Sequence, residues 1–438
     1  MVRAMRSSRA PAPGAGRPAL VPARLESIDV LRGLAVLAMI HIHVVHAFAS
    51  PDARTGWYYA FANFVGGGAA PLFLALAGLS AGLAWSRGTP AARFVERGLQ
   101  IWALGIVFRV QEWALGGRGV PIFDVLRVDI LNCIGASLAL LGAALWIAER
   151  RRQPAGRTET AALGAAIAAL PLIACAPLVA AASWPAALPP ALAFYFAGPR
   201  DFAMFPLFGW AGVLFAGGAL GAWAGGAGAA TRRRLVAAGG VALAAYPVLL
   251  AARLAFDLDK QDASPVFLCE RLALSLGLVT LVELALGWGG GRLAAMRATG
   301  AAERWLLLLG RHSLVVYWVH VELVYGLLFH KLHGRLGPPA MTAASLSTIA
   351  LMTLLAARTR SAAGLAGRLS SSLARWARET FSRGLASRTG ASPAASRSSP
   401  ADTSAGSAPA PTSADPDSPP RTLPSSPPRP RARPAPAP

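Results

Sequence analysis

Apolar residues recur along this chain in long runs that are separated by short polar loops. The ten runs cover residues 24–48, 61–85, 98–116, 128–148, 159–182, 204–224, 235–255, 266–288, 305–328 and 339–357. A run of about 20 predominantly apolar residues is long enough to cross the hydrocarbon core of a bilayer as a helix. The pattern therefore predicts an all-α fold, a polytopic transmembrane helix bundle of about ten spans.

Basic residues fall in alternate loops between these runs. Beyond the N-terminal arm, the arginines of these loops are Arg87, Arg93, Arg97, Arg150, Arg151, Arg152, Arg157, Arg232, Arg233, Arg234, Arg292, Arg297 and Arg304, and more follow Arg358. Cytoplasmic loops of membrane proteins carry an excess of Lys and Arg. We therefore predict that both termini are cytoplasmic and that the intervening loops, which contain fewer arginines, face the exterior.

The pattern also divides the chain into four parts. Residues 1–23 are rich in Arg, Ala and Pro and predict a disordered cytoplasmic arm, and residues 24–358 form the transmembrane domain. Residues 359–384 place leucines on one side with several arginines flanking them, which fits either an interfacial amphipathic helix or a solvated start to the tail. Residues 385–438 are Ser, Pro, Ala, Thr and Arg, and they predict a disordered tail.

Composition supports a membrane protein. Hydrophobic residues make up 54% of the 438 residues and charged residues 14%, with a mean hydropathy of +0.47. The net charge of +21 is the excess of 42 basic over 21 acidic residues, and most of the basic residues fall in short loops between the apolar runs and in the tail. This distribution indicates membrane topology and anionic lipid, and we do not expect nucleic acid as a partner. The three cysteines show no metal or redox spacing, so we predict no metal and no bound cofactor.

The first run carries ionisable residues along one face. Asp29, Arg32, His43 and His46 follow one another, through Val36 and Met39, by steps of three or four residues, whereas His41 points elsewhere. An ionisable group in hydrocarbon costs several kcal/mol unless it is paired or hydrated. The stripe therefore indicates a polar cavity beside this helix.

The predicted topology places polar residues of five runs in the outer half of the membrane. These residues are His43 and His46, Arg109 and Glu112, Asp129 and Asn132, Glu270 and Arg271, and Tyr317 and His320. A smaller set, Asp29, Arg32, Arg311 and His312, lies near the cytoplasmic ends of the first and ninth runs. Two polar regions on the same helices suit a reaction whose substrates arrive from opposite sides of the membrane.

Five stretches carry a resemblance to a known family. They are RLESIDVLRGLAVLAM (24–39), AAPLFLALAGLSAGL (69–83), VDILNCIGASL (128–138), FPLFGWAGVLFAGGALG (205–221) and LGRHSLVVYWVH (309–320). Together they resemble the bacterial branch of the heparan-alpha-glucosaminide N-acetyltransferase catalytic-domain family, which belongs to the wider set of multi-span membrane acyltransferases. The resemblance covers roughly residues 24–330.

The resemblance implies an enzyme of the bacterial inner membrane. Such an enzyme transfers an acetyl or short acyl group from cytosolic acyl-CoA, as a co-substrate, to a sugar hydroxyl or amine on the outer side. Its partners are therefore the acyl-CoA donor, a glycan or glycolipid acceptor and membrane lipid, and the oligomeric state stays open, a homodimer included. The family's D-x-x-R-G motif corresponds to Asp29, Arg32 and Gly33. The position of the lysosomal members' catalytic histidine falls near Arg54, so His43 or His46 must take that role here.

The candidate residues suit this chemistry. A neutral imidazole of His43 or His46 can remove a proton from the acceptor, with Asp129 or Glu112 orienting it, or it can carry the acyl group itself. Arg32, Arg311 and Arg97 can hold CoA phosphates. Structural roles stay open for several of these residues, because Asp29–Arg32 and Arg109–Glu112 can be ion pairs and His320 with Tyr317 can be packing partners. The catalytic candidates are His43, His46, Asp129 and His320, and the binding candidates are Asp29, Arg32, Asn132, Arg109, Glu112, Tyr317 and Arg311.

A transporter or exporter is the alternative from a different class. In it, the same His, Asp and Glu side chains would form a proton relay. The two halves of the chain show no convincing repeat, which favours the enzyme. A CoA-dependent product would favour the enzyme, and substrate flux without chemical change would favour the transporter.

Overall fold

A computed structural model describes residues 25–115, 122–150, 157–197, 202–226, 228–258, 264–288 and 299–359. The chain divides into two units, 1–370 and 371–438, and every described residue belongs to the first. The predicted arm at 1–23, the tail at 385–438 and all but the first residue of the 359–384 segment lie outside the described residues.

The described residues form fourteen α-helices. Their bounds are α1 Glu26–Phe48, α2 Trp57–Gly66, α3 Ala69–Ser86, α4 Ala92–Leu115, α5 Ile130–Arg150, α6 Arg157–Ala174, α7 Ala176–Ala181, α8 Pro190–Ala193, α9 Leu207–Ala224, α10 Ala229–Ala255, α11 Pro265–Trp288, α12 Thr299–Arg311, α13 Ser313–Tyr325 and α14 Pro338–Thr359. Within these ranges, β-structure is limited to two isolated β-bridges. The predicted all-α fold is confirmed.

Each of the ten predicted runs is helical, but fewer helices are long and apolar enough to cross a membrane. Seven described helices meet that criterion, namely α1, α2 with α3 as one helix, α5, α9, α10, α11 and α14, and an eighth is added if α12 and α13 count as one span. Helix α4 is less apolar because it carries charged residues at both ends, and α6 is followed after one residue by the separate short helix α7. The number of spans and the side on which each end lies stay predictions.

Helix α1 lies at the centre of the site-forming helices. Its apolar face packs with α3, α13 and α14 around Val36, Ile40 and Val44, which are all fully buried. Small residues allow α12 to approach it closely, because Gly33 faces the backbone of Leu306 and Gly310 faces the backbone carbonyl of Asp29. This contact fixes the register between α1 and the α12–α13 pair.

The ninth predicted run is not one continuous helix. It is bent by 79° between α12 and α13, at His312, whereas the sequence predicted a single span over 305–328. The His312 imidazole Nδ1 lies 2.9 Å from the backbone carbonyl of Leu308 at the break. Both halves contact α1, so the bend lets α12 and α13 each present a side chain to a different part of that helix.

Candidate functional site

A cavity of about 1110 Å³ lies between α1 and the helices around it. Most of the polar side chains that the sequence singled out line it. These are His43, His46, Arg109, Glu112, Asp129, Tyr317 and Arg271 from the first predicted set, and Arg32 and Arg311 from the second, together with Arg97. Asp29, Asn132, Glu270 and His320 are buried behind the wall. The two predicted polar regions therefore belong to one cavity.

One end of the cavity, which we call the arginine end, is lined by Arg32 and Arg311. The fully buried Asp29 carboxylate holds both side chains: its Oδ1 lies 3.6 Å from Arg32 Nη1, and its Oδ2 lies 3.3 Å from Arg311 Nε. Arg32 Nη2 also donates a hydrogen bond to Ser80 Oγ at 3.1 Å. Arg32 and Arg311 carry two positive charges and Asp29 carries one negative charge, so this cluster of three side chains has a net positive charge.

At the opposite end, the histidine end, His43 is paired with a second histidine. His43 Nδ1 lies 2.9 Å from His320 Nε2, and the two rings are nearly parallel. His320 is fully buried, and its Nδ1 lies 2.7 Å from the backbone carbonyl oxygen of Val316. Tyr325 packs edge-on against His43, with ring centroids 5.5 Å apart. Helices α1 and α13 thus jointly hold the His43 ring in the cavity wall.

His46 also lines the histidine end, and Asn63 of α2 binds it. The His46 Nε2 lies 2.8 Å from Asn63 Oδ1, while Asn63 Nδ2 donates to the Tyr59 carbonyl at 2.8 Å. Because the amide oxygen can only accept, His46 donates from Nε2. His41 lies outside the cavity lining and bonds Ser345 of α14 at 3.0 Å, in agreement with the predicted orientation.

Arg109 of α4 is held by two carboxylates. Arg109 is 3% exposed, forms ion pairs with Glu112 and Asp124, and also donates to the Asp124 backbone oxygen. The sequence predicted Asp129 or Glu112 as the group that orients the catalytic histidine. In the structure, Glu112 instead forms an ion pair with Arg109, and Asp129 caps helix α5. The group that contacts His43 Nδ1 is the His320 imidazole.

Asp129 immediately precedes α5, and its two carboxylate oxygens differ in their hydrogen bonding. Its Oδ1 accepts hydrogen bonds from the backbone N–H groups of Leu131 at 3.0 Å and Asn132 at 3.2 Å, which is an N-cap. Its Oδ2 has no hydrogen-bond partner among the described residues, and neither has the side-chain amide of the fully buried Asn132. Asp129 lines the cavity and Asn132 does not.

Three further side chains of the wall are Arg253 of α10, Arg271 of α11 and Tyr317 of α13. Glu270 Oε2 lies 3.2 Å from Arg271 Nε and 3.7 Å from Arg253 Nε, so one carboxylate serves two arginines that line the cavity. Tyr317 packs between Phe108 and His320, with ring centroids 5.7 and 5.9 Å away. Glu270 and Arg271 thus lie beside each other as an ion pair, and Tyr317 is part of the wall.

The sequence patterns did not point to Asn63, Asp124 or Arg253, which also contact site residues. Asn63 lies in the short helix α2 and Asp124 in a five-residue 3-10 helix, so neither belongs to a long helical repeat that would point to the cavity. Arg253 belongs to a run whose other residues are nearly all apolar, and that isolation was a usable signal. Over the ranges that the structure describes, there is no group of three or more His, Cys, Asp or Glu side chains that could hold a metal ion.

Comparison with known proteins agrees with the geometry. The family model described as heparan-alpha-glucosaminide N-acetyltransferase, catalytic, matches residues 24–253, which is more than half of the chain. The match includes His43, His46 and Asp129 but ends before Arg311 and His320. No curated protein matches the chain. The protein therefore belongs to the heparan-alpha-glucosaminide N-acetyltransferase catalytic-domain family, and its function is of the membrane acetyltransferase type.

Proposed function

We propose that the protein transfers an acetyl group from cytosolic acetyl-CoA to an amine or hydroxyl of a sugar on the outer side of the bacterial inner membrane. One observation carries the proposal: a single cavity is lined by Arg32 and Arg311 at one end and by His43 and His46 at the other. A donor and an acceptor that enter from opposite ends of this cavity meet without either crossing the membrane.

The arginine end suits the phosphates of CoA. Guanidinium groups form charge-assisted, often bidentate hydrogen bonds with phosphate. Arg311 is 45% exposed and Arg32 is 25% exposed, and Asp29 behind them holds one guanidinium nitrogen of each. The arginines therefore bind the nucleotide end of the donor, while its acyl thioester extends along the cavity towards the histidines. Under the predicted topology this end is cytosolic.

The histidine end suits the transfer step. The His43 imidazole takes a proton from the acceptor amine or hydroxyl as the nitrogen or oxygen bonds to the thioester carbonyl carbon. The carbon–sulfur bond then breaks, and the CoA thiolate leaves with the proton that His43 carried. Asp129 and Tyr317 in the same wall position the acceptor. An acyl-imidazole on His43 or His46 is the two-step version of the same reaction, and it also moves the group from donor to acceptor.

The alternative of a transporter is favoured by one specific observation. Helices α12 and α13 form a broken pair at the cavity wall, and discontinuous helices are common at the substrate sites of secondary transporters. A transporter moves its substrate unchanged, whereas the proposed enzyme makes a new amide or ester bond. Product chemistry therefore separates the two functions.

The experiment is transfer of radiolabelled acetyl from acetyl-CoA in nanodiscs, which have no sealed compartment. Purified protein is incubated with labelled acetyl-CoA, with and without a pool of amino sugars and glycans, and wild type is compared with His43→Gln/His46→Gln. We expect label on the sugar, or retained on wild-type protein and lost in the double variant. Absence of both with wild-type protein and several acyl-CoAs would refute the enzyme and favour the transporter.

A further inference from the structure

We infer that His320 is a positioning residue that fixes the tautomer of His43, so that Nε2 of His43 is the reactive nitrogen. The inference rests on the proposed function, because it concerns the histidine that would act as base or acyl carrier there. The tautomer of His43 in the resting protein can be measured without turnover.

The tautomer follows from a chain of three groups that ends at the backbone. The Val316 carbonyl oxygen can only accept a hydrogen bond, so the His320 Nδ1 that lies 2.7 Å away carries the hydrogen. In a neutral His320, the other ring nitrogen, Nε2, is then an acceptor. His43 Nδ1 lies 2.9 Å from it and must be the donor. A neutral His43 that donates from Nδ1 has its lone pair on Nε2.

The position of the two rings assigns them different roles. His43 lines the cavity, whereas His320 is fully buried and does not line it. Only His43 is therefore placed to touch a substrate. His320 acts through His43, as the group that orients its ring and selects which nitrogen carries the hydrogen.

A histidine in this position solves a problem that a carboxylate would create. A buried carboxylate beside the base would have to be desolvated inside the membrane, which is costly unless the charge is fully paired. The His320 imidazole is neutral and ends the chain on a helix carbonyl. When His43 Nε2 takes the acceptor's proton, His43 becomes a cation whose Nδ1–H still donates to the His320 lone pair. When the proton passes to the CoA thiolate, the starting tautomer is restored.

The test compares two replacements of His320. Gln places an amide oxygen near the position of Nε2 and keeps an acceptor for His43 Nδ1–H, whereas Leu has a similar bulk and no acceptor. ¹⁵N spectra of protein labelled at histidine report which ring nitrogen carries hydrogen, and the His43 signals are identified by their loss in His43→Gln. We expect Nδ1–H, Nε2-unprotonated His43 in wild type and His320→Gln, and a shift towards Nε2–H in His320→Leu.

Kinetics give the second readout. In His320→Leu we expect kcat to fall roughly 10- to 100-fold with an unchanged KM for acetyl-CoA, and His320→Gln to recover most of the loss. His41→Gln is the matched control, because His41 is on the same helix and does not line the cavity. Nε2–H His43 in the wild type, or a tautomer unchanged in folded His320→Leu, would overturn the inference. A wild type that transfers no acetyl would instead overturn the proposed function, with the spectra still deciding the tautomer.

Discussion

Arg311 Nε of α12 lies 3.3 Å from Asp29 Oδ2 of α1, at the opposite end of the cavity from the contact between His43 and His320. The broken helix pair is therefore attached to α1 twice, once through each half. Because α12 and α13 meet at 79°, these two contacts are made by helix segments that run in different directions. The arrangement places the predicted donor site and the predicted transfer site on the same two elements.

The arginine end predicts a specific loss of donor affinity. Replacing Arg311 or Arg32 with Ala should raise the KM for acetyl-CoA about tenfold or more, because a hydrogen bond to a charged group contributes about 1.5–3 kcal/mol. The value of kcat should change little, since neither residue lies at the histidine end. Steady-state kinetics at saturating acceptor measure both constants.

Arg93 provides the matched control for this prediction. Arg93 lies near the start of α4. Its side chain is 71% exposed, pairs with Glu96 and does not line the cavity. Arg93→Ala should leave the KM at the wild-type value. An equal rise in KM for Arg93→Ala and Arg311→Ala would mean that surface charge in general, and not the arginine end, attracts the donor.

Asp129 predicts a separation between stability and activity. Asp129→Asn keeps an oxygen that can cap α5, so the protein should unfold at the wild-type temperature, whereas Asp129→Ala should lose about 1 kcal/mol. Both variants should lower kcat about tenfold or more if the second oxygen positions the acceptor. Full activity in Asp129→Asn would show that the residue serves only as a helix cap.

Arg109 predicts a structural effect. Replacement by Met would remove the cation that Glu112 and Asp124 share and leave Asp124 with the longer contact to Arg127 at 4.0 Å. Because these carboxylates are only partly buried, we expect a cost of about 1–3 kcal/mol. We expect a low yield of folded protein and a lowered unfolding temperature, measured by tryptophan fluorescence in detergent. Normal stability combined with lost transfer would instead place Arg109 in substrate binding.

The contact between α1 and α12 predicts the effect of one methyl group. A Cβ at Gly310 would collide with the carbonyl oxygen of Asp29, so Gly310→Ala should push the helices apart and cost about 1–3 kcal/mol. Gly240 of α10 is the control, because no described atom outside its own stretch of helix lies within 4 Å of the position where its Cβ would be. Gly240→Ala should be neutral or slightly stabilising. Unfolding temperatures that fall equally in both variants would contradict this account of the contact.

Helical spacing was sufficient to predict the face of α1 that meets the cavity. Asp29, Arg32, His43 and His46 are related by that spacing, and the structure places three of them in the lining and Asp29 directly behind it. The predicted ten apolar runs are all helical for a similar reason, since their length and composition are local properties. The family was recognisable from five short stretches, of which four lie within the matched residues 24–253.

The partners of these side chains were not predictable in the same way. The pairing of His43 with His320 depends on the register between α1 and α13, which is set by the Gly310 contact and by the bend at His312. Neither feature follows from apolar periodicity. The sequence therefore indicated which residues would be polar and inward-facing, but it assigned a carboxylate where the structure has an imidazole.

The measurement that tests the central claim most directly is sidedness of transfer in sealed proteoliposomes. An amino sugar acceptor is trapped inside, labelled acetyl-CoA is added only outside, and the luminal contents are analysed for acetylated sugar, with His43→Gln and protein-free vesicles as controls. The account predicts labelled acetyl-sugar inside wild-type vesicles and none in either control, while acetyl-CoA stays outside. Product that forms only when donor and acceptor are on the same side would contradict a cavity that joins the two faces of the membrane.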